Sequence, residues 1–313
     1  MSRIHEALKK AEQQRAAIQG GVPSGVIPLS TGDRSSPFEE SNITLERSAA
    51  GNGETQGLAG PFSLDVLLAR CQQREWKPDL ETMLFMNGSD KVRGMEEYRT
   101  LRSRLYHLRE KMPLKTLLIT SALPKEGKSF TAANLAQVLR HQHGRRVLLI
   151  DADLRGPRLH LMLGTIQGPG LSDYLQGNSD EFSVIQRGPG DNFFFIPGGT
   201  LIQDPADLVG NGRLQSLIQN LDPLFDWIIV DSPPAVAVSD ASVLAKACDG
   251  VLMVVRSNST PADMARRARQ EFTDEALVGV VLNAAGNEEA PYARYYYEAY
   301  GQKGSSTKSQ GEK

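Results

Sequence analysis

The chain has 313 residues, of which 40% are hydrophobic and 23% charged, and its net charge is −2. This composition is typical of a soluble globular protein, and the small net charge predicts no nucleic-acid partner. No run of about 18 apolar residues could span a bilayer, and the N-terminus lacks a signal-peptide core. Cys71 and Cys248 have neither metal-site nor redox spacing. We therefore expect a cytoplasmic protein without a disulfide framework.

The first 60 residues are predicted to lie outside the folded core. Residues 1–18 place apolar side chains at helical spacing, which predicts a short N-terminal helix, either a solvated stub or a docking helix completed by a partner. Residues 19–60 are rich in Gly, Ser, Pro and Thr, so they are predicted to form a flexible linker. A folded domain is expected over residues 61–300, with its core at about 93–290, and residues 291–313 are predicted to form a tyrosine-rich C-terminal tail.

Regular helices and strands are predicted along the folded domain. A short helix is expected in "SLDVLLARCQQ", and longer ones in "RGMEEYRTLRSRLYHLREKM", "KSFTAANLAQVLRHQHG", "GRLQSLIQNL", "SDASVLAKAC" and "PADMARRARQEF". Short apolar runs typical of strands occur in "LKTLLITS", "RRVLLID", "NFFFIPGG", "DWIIVDSPP", "GVLMVVR" and "LVGVVLNA". Continuous apolar strands that alternate with helices indicate a parallel sheet covered on both faces. We therefore predict an α/β fold with a doubly wound, mostly parallel sheet.

The first of these strands runs directly into "SALPKEGKSFTAANLA", where a strand turns into a helix. Backbone N–H groups at such a turn cradle phosphate. Lys128 would reach the β- and γ-phosphates of a nucleotide, and the Ser129 hydroxyl would bind Mg²⁺. The strict Walker A pattern fails, because Ala122 stands where that pattern has its first glycine. The predicted phosphate-binding residues are Pro124, Lys125, Glu126, Gly127, Lys128, Ser129 and Phe130.

Three carboxylates follow two other predicted strands. Asp151 and Asp153 close the strand in "VLLIDADLR", and Asp231 ends the apolar strand in "DWIIVDSPP". A single such aspartate could simply cap a helix or face solvent. Three of them at the carboxyl edge of one sheet, in a chain that also carries a GKS loop, favour a shared role. They are predicted to hold Mg²⁺ and to orient an attacking oxygen.

These three segments resemble the motifs of bacterial tyrosine kinases (BY-kinases) of exopolysaccharide and capsule synthesis. That family belongs to the P-loop ATPases that include MinD and ParA, and the resemblance covers roughly residues 85–300. "SALPKEGKSFTAANLA" is similar to its Walker A, "VLLIDADLR" to its second Walker motif and "WIIVDSPP" to its Walker B. The resemblance implies a P-loop NTPase fold of the MinD/ParA type, ATP and Mg²⁺ as cofactors, and phosphate transfer to protein tyrosine.

The helix that contains "EEYRTLR" also matches the family. Glu96, Arg99 and Arg102 have its E-x-x-R-x-x-R spacing, which places the three charges on one helix face. On their own they are most simply a solvated charged face. The resemblance implies instead that this helix packs against a neighbouring subunit and closes a ring.

A tyrosine cluster, "PYARYYYEAYG", opens the C-terminal tail. The resemblance implies that these tyrosines accept phosphate from an adjacent subunit of the ring. The catalytic residues would then be Lys128, Asp151 and Asp153, with Asp151 as the candidate base and Asp153 as the alternative base or a metal ligand. The predicted phosphoacceptors are Tyr292, Tyr295, Tyr296, Tyr297 and Tyr300.

Two further residues are assigned on the same resemblance, and two depart from it. Arg155 would contact phosphate or a neighbouring subunit, and Asn283 corresponds to an asparagine beside the adenine. Lys125 stands where the family usually has glycine, and Leu123 where MinD-type proteins have their signature lysine. The latter departure disfavours a MinD or ParA activity.

The membrane half of the family's larger members is missing. The chain therefore resembles the cytoplasmic form, which is held at the inner membrane by a membrane-embedded polysaccharide co-polymerase that activates it. Two other functions stay open: a MinD/ParA-like ATPase switch, and a nucleotide-bound assembly scaffold whose tyrosines pack an interface.

Overall fold

The computed structural model describes residues 63–86, 94–141 and 144–286. The predicted N-terminal helix and linker, and the tail with its five tyrosines, lie outside the described residues. Within them, no helix combines the length and the apolar character needed to cross a lipid bilayer.

Helices alternate with strands along most of the described chain. The helices are α1 (Leu64–Arg70), α2 (Met95–Arg109), α3 (Lys128–Arg140), α4 (Leu159–Leu163), α5 (Leu171–Leu175), α6 (Ala206–Val209), α7 (Arg213–Leu221), α8 (Asp240–Ala245) and α9 (Ala262–Gln270), with a 3₁₀ turn at Asp222–Leu224. The strands are β1 (Gln72–Gln73), β2 (Thr116–Ser121), β3 (Val147–Asp151), β4 (Gln186–Arg187), β5 (Phe193–Ile196), β6 (Trp227–Asp231), β7 (Gly250–Arg256) and β8 (Leu277–Asn283).

The strands form one sheet in the order β1–β4–β5–β3–β6–β2–β7–β8. The six strands from β5 to β8 in this order are parallel to one another, which confirms the predicted doubly wound α/β fold. The exception is the β1–β4 edge, because β4 pairs antiparallel with β5 and β1 runs parallel to β4. These two-residue strands carry no apolar run, so the sequence pattern did not predict them.

Each face of the sheet has its own hydrophobic core. Alternate residues of β2 point to opposite faces, so Leu118 belongs to the core under α7, α8 and α9, whereas Leu117 belongs to the core under α2 and α3. All six residues of β2 are buried as a result. Coverage on both faces explains why the central strands read as continuous apolar runs.

The segment over residues 63–86, which we call the strap, is packed into both cores. Leu67 enters the first core, and Trp76 and Met83 enter the second. The Leu84 N–H donates to Asn134 Oδ1 at 2.9 Å, and Asn134 Nδ2 donates to the Thr82 carbonyl at 2.8 Å. The strap is therefore tied directly to α3.

Candidate functional site

The loop between β2 and α3 forms the centre of the site. Gly127 precedes α3 with a φ of 95°, and a Cβ atom there would lie 2.0 Å from Asn283 Nδ2, so only glycine fits. Lys125 also has a positive φ, 66°, although it is not glycine. The family's glycine at that position therefore meets a real backbone requirement, which Lys125 satisfies with strain.

Lys128, the first residue of α3, lies among the predicted carboxylates. Its Nζ donates to Asp153 Oδ2 at 2.6 Å and lies 3.9 Å from Asp231 Oδ2. Burial opposes the ammonium charge, but the carboxylates of Asp231 and Asp153 outweigh it and raise the pKa of Lys128. The side chain is therefore a fixed positive charge in a cleft whose walls are acidic.

Asp231 ends β6 beside the start of α3. The Ser129 hydroxyl donates to Asp231 Oδ2 at 2.5 Å, while Asp231 Oδ1 is buried without a hydrogen-bond partner. Burial raises the pKa of Asp231 to about 6, against the opposing effects of the Lys128 ammonium and the Ser129 hydroxyl. The carboxylate thus keeps one oxygen available for a ligand.

Asp151 ends the neighbouring strand β3 and is fully buried. Its Oδ2 accepts the backbone N–H groups of Arg158 and Leu159, each at 3.0 Å, and its Oδ1 has no partner. Burial and the adjacent Asp231 carboxylate raise the pKa of Asp151 to about 8. The backbone bonds fix the orientation of this side chain before any ligand binds.

A divalent cation fits this cluster. Asp151 and Asp231 are register partners across β3 and β6, and each leaves one buried oxygen without a hydrogen-bond partner. The other oxygen of Asp231 accepts the Ser129 hydroxyl. Across the described chain, no three His, Cys, Asp or Glu side chains form a group that could hold a metal alone. Magnesium commonly takes one or two carboxylates and completes its shell with substrate phosphates and water, which is the arrangement these residues allow.

Arg155 has a partner within the chain. Its Nε and Nη2 donate to the two carboxylate oxygens of Asp240 at 2.8 and 3.1 Å, and Asp240 is buried at the start of α8. Such a bidentate pair fixes the guanidinium plane. Reading the sequence missed Asp240, because a helix-initiating aspartate is common and nothing local marks it as an arginine ligand.

Asn283 lies at the end of β8 and contacts the phosphate loop. Its Nδ2 donates to the Glu126 carbonyl at 2.9 Å. Two residues without a predicted role also contact this loop, Arg256 at the end of β7 and Thr260 just beyond it. Arg256 Nη1 donates to the Lys125 carbonyl at 3.1 Å, and the Thr260 hydroxyl is hydrogen-bonded to Glu126 Oε1.

The charged residues of α2 differ in their contacts. Arg99 forms an exposed ion pair with Glu96 three residues earlier. Arg102 Nη1 instead donates to the Val138 carbonyl in the last turn of α3 at 3.1 Å. Two of the three charges are therefore presented to solvent, while the third ties α2 to α3.

Leu123 is partly buried and packs against the core under α7, α8 and α9. An apolar side chain packed in this way cannot supply the positive charge of the MinD-type signature lysine. The structural setting of Leu123 is therefore consistent with the predicted departure from MinD.

The chain is similar to known P-loop proteins and tyrosine kinases. The ParA family, described as NUBPL iron-transfer P-loop NTPase, matches residues 114–311. Tyrosine-protein kinase YwqD of Bacillus subtilis is 34% identical over 210 residues, which cover 66% of this chain and 86% of YwqD. Tyrosine-protein kinase wzc of Salmonella typhimurium is 31% identical over 222 residues, or 70% of this chain but only 31% of wzc.

A solved structure of a tyrosine kinase is also similar to this chain. The kinase domain of the Escherichia coli tyrosine kinase ETK superposes with a TM-score of 0.58 at 30% identity, over 66% of this chain and 82% of that domain. The residues that the ParA family matches, 114–311, contain the phosphate loop and the two aspartate-bearing strands on which the site is built. The chain therefore belongs to the ParA-type P-loop NTPases and, among them, to the bacterial tyrosine-protein kinases.

Proposed function

We propose that the chain is an ATP-dependent protein-tyrosine kinase that phosphorylates the tyrosine cluster at residues 292–300 of a neighbouring copy. The observation that carries this proposal is the meeting of Lys128, Ser129, Asp151, Asp153 and Asp231 at the carboxyl edge of β2, β3 and β6. Together these residues offer a cation, a hydroxyl and carboxylates within one cleft. Those groups are sufficient for phosphoryl transfer by positioning and charge stabilisation.

Each side chain has a distinct part in the proposed reaction. Magnesium-bound ATP would supply the γ-phosphoryl group, with Ser129, Asp151 and Asp231 as protein ligands for the cation. Lys128 exchanges its contact with Asp153 for one with the transferring phosphate. Asp153, released from Lys128, accepts the tyrosine O–H proton as the new tyrosine O–P bond forms and the bond to the ADP oxygen breaks.

We further propose that the kinase works in a cytoplasmic ring that is held at the inner membrane by a polysaccharide co-polymerase, and that it regulates exopolysaccharide or capsule export. The exposed Glu96–Arg99 pair on α2 is available for contacts between subunits. Phosphates on neighbouring tyrosines would each add nearly two negative charges and repel one another, which would loosen the ring. A MinD/ParA-like ATPase switch is less well supported, because Leu123 packs inward.

A two-component mixture tests transfer between copies. One chain carries Lys128→Met and keeps its tyrosines, and the other keeps Lys128 but has all five cluster tyrosines replaced by phenylalanine. We expect phosphotyrosine on the Lys128→Met chain only when the phenylalanine chain and Mg²⁺-ATP are both present, as measured by mass spectrometry of the C-terminal peptide. Lys246→Met, an exposed lysine beyond α8, is the matched control and should phosphorylate itself normally.

Two results would count against this function. Phosphate on serine instead of tyrosine would make the chain a different kinase. Steady ATP hydrolysis that is unchanged by the five phenylalanine substitutions, without phosphotyrosine, would favour the ATPase switch. Both assays should be run on the purified chain and on the chain co-expressed with a membrane co-polymerase, because the proposed activator supplies part of the active state.

A further inference from the structure

The phosphate loop is held from one side by the ends of β7 and β8. Arg256 donates to the Lys125 carbonyl at 3.1 Å, and Asn283 donates to the Glu126 carbonyl at 2.9 Å. Two consecutive carbonyl groups of the loop are therefore fixed by side chains from strands that are distant in sequence. Neither contact involves the carboxylate cluster.

These two contacts also determine the directions of the N–H groups of Glu126 and Gly127. In a planar trans peptide the N–H of one residue points opposite to the C=O of the residue before it. Holding the carbonyls of Lys125 and Glu126 toward β7 and β8 directs the N–H groups of Glu126 and Gly127 the other way. In the sheet order that direction is toward β6 and β3, where Lys128 and the aspartates lie.

A buried side-chain network supports the same loop. Glu126 is only 3% exposed, and its Oε2 accepts the Leu123 N–H at 2.9 Å. Its Oε1 accepts the Thr260 hydroxyl, while Thr260 Oγ1 accepts the Arg256 N–H at 3.0 Å. Thr260 thus connects Glu126 to the residue that holds the Lys125 carbonyl, so the side-chain and backbone contacts form one unit.

We infer that Arg256 and Thr260 are positioning residues that orient the amide groups of the phosphate loop for nucleotide binding. The inference rests on the proposed role of the loop, since only a phosphate ligand gives those amides a function. It also accounts for the left-handed conformation of Lys125, because the contact from Arg256 to its carbonyl holds a backbone shape that a lysine seldom adopts. Arg256 and Thr260 act through the backbone and need not touch the nucleotide.

Calorimetric titration with Mg²⁺-ADP tests the inference without requiring kinase activity. Arg256→Met and Thr260→Val should each weaken ADP binding about fivefold, the usual effect of losing one hydrogen bond. Arg256→Lys and Thr260→Ser keep a donor and should restore most of the affinity. Two matched controls should bind as wild type: Arg266→Met, which removes an exposed arginine from α9, and Thr273→Val, beyond the far end of that helix.

The kinetic pattern separates positioning from general damage. Loop amides bind the nucleotide equally in the ground and transition states, so KM for ATP should rise while kcat at saturating ATP stays within about twofold. Unchanged ADP affinity in both Arg256→Met and Thr260→Val, in proteins that melt like wild type, would overturn the inference. If ADP affinity falls as expected but no variant or wild type forms phosphotyrosine, the proposed kinase function fails and the positioning role stands.

Discussion

Asp151 combines complete burial with a carboxylate oxygen that nothing in the described chain satisfies. Burial disfavours its charge, so the ionised side chain costs folding free energy, which a bound cation would offset. This is the pattern expected where function, and not stability, selects a residue. Asp231 shares the pattern one strand away, with its own unpartnered oxygen.

Replacing Asp151 with asparagine should separate stability from function. The asparagine Oδ1 can still accept the N–H groups of Arg158 and Leu159, and asparagine cannot take on the negative charge that burial disfavours. We expect a melting temperature equal to or higher than that of wild type, by up to about 3 °C, in the absence of nucleotide. Phosphotyrosine formation should fall by roughly 10² or more. The control, Asp274→Asn at an exposed aspartate, should change neither the melting temperature nor phosphotyrosine formation.

Lys125 offers a second test at the scale of one residue. Its φ of 66° costs a non-glycine residue about 1 kcal/mol. Lys125→Gly should therefore raise the free energy of unfolding by about 0.5 kcal/mol, after part of the gain is lost to the greater freedom of glycine in the unfolded chain. Urea unfolding measures this. Lys125→Ala keeps the strain and is the control, and a destabilised Lys125→Gly would show that the loop is not strained.

At the scale of elements, α2 carries both an internal tie and an exposed charge pair. Arg102 donates to a carbonyl in the last turn of α3, whereas Arg99 pairs with Glu96 on the surface. The family motif on this helix therefore contains one residue that bonds within the chain, Arg102, and two that form an exposed ion pair, Glu96 and Arg99. Exposed pairs of this type stabilise the fold of a single chain very little.

Alanine substitutions along α2 should separate these roles. Arg99→Ala should weaken self-association and leave the melting temperature within about 1 °C, because the pair is exposed. Arg102→Ala should lower both self-association and the melting temperature, since the Val138 carbonyl loses its donor. Light scattering after gel filtration and thermal melts measure the two effects. Arg104→Ala, exposed on another face of α2, is the control, and equal association of all three variants would exclude α2 from the interface.

The elements and the carboxylate cluster could be predicted for the same reason. Buried parallel strands produce apolar runs, and the sheet brings the residues at their carboxyl ends together, so Asp151 and Asp231 were identifiable from position alone. Arg256 and Thr260 were not, because their role depends on contacts with Lys125 and Glu126, in a loop more than 100 residues away. The two-residue strands β1 and β4 were missed because pairs of glutamine and arginine carry no strand signal.

At the scale of the whole molecule, the strap enlarges the domain beyond the regular α/β core. Leu67 and Met83 are completely buried in it, and Trp76 contacts the rings of Phe193 and Phe195 edge-on. A chain that begins at residue 94 would lose these side chains and leave three apolar surfaces open. Its free energy of unfolding should fall by roughly 5 kcal/mol relative to a chain that begins at residue 61, as measured by urea unfolding. Equal stability of the two chains would show that the strap is dispensable.

The contact between the strap and α3 has a practical consequence for anyone who produces this kinase in recombinant form. Boundaries chosen from the nucleotide-binding motifs alone would start near residue 93 and cut away the partner of Asn134. Because α3 begins with Lys128 and Ser129, such trimming would disturb the helix that carries the phosphate site. Loss of activity in a shortened preparation would then report a misplaced boundary and not a missing activator.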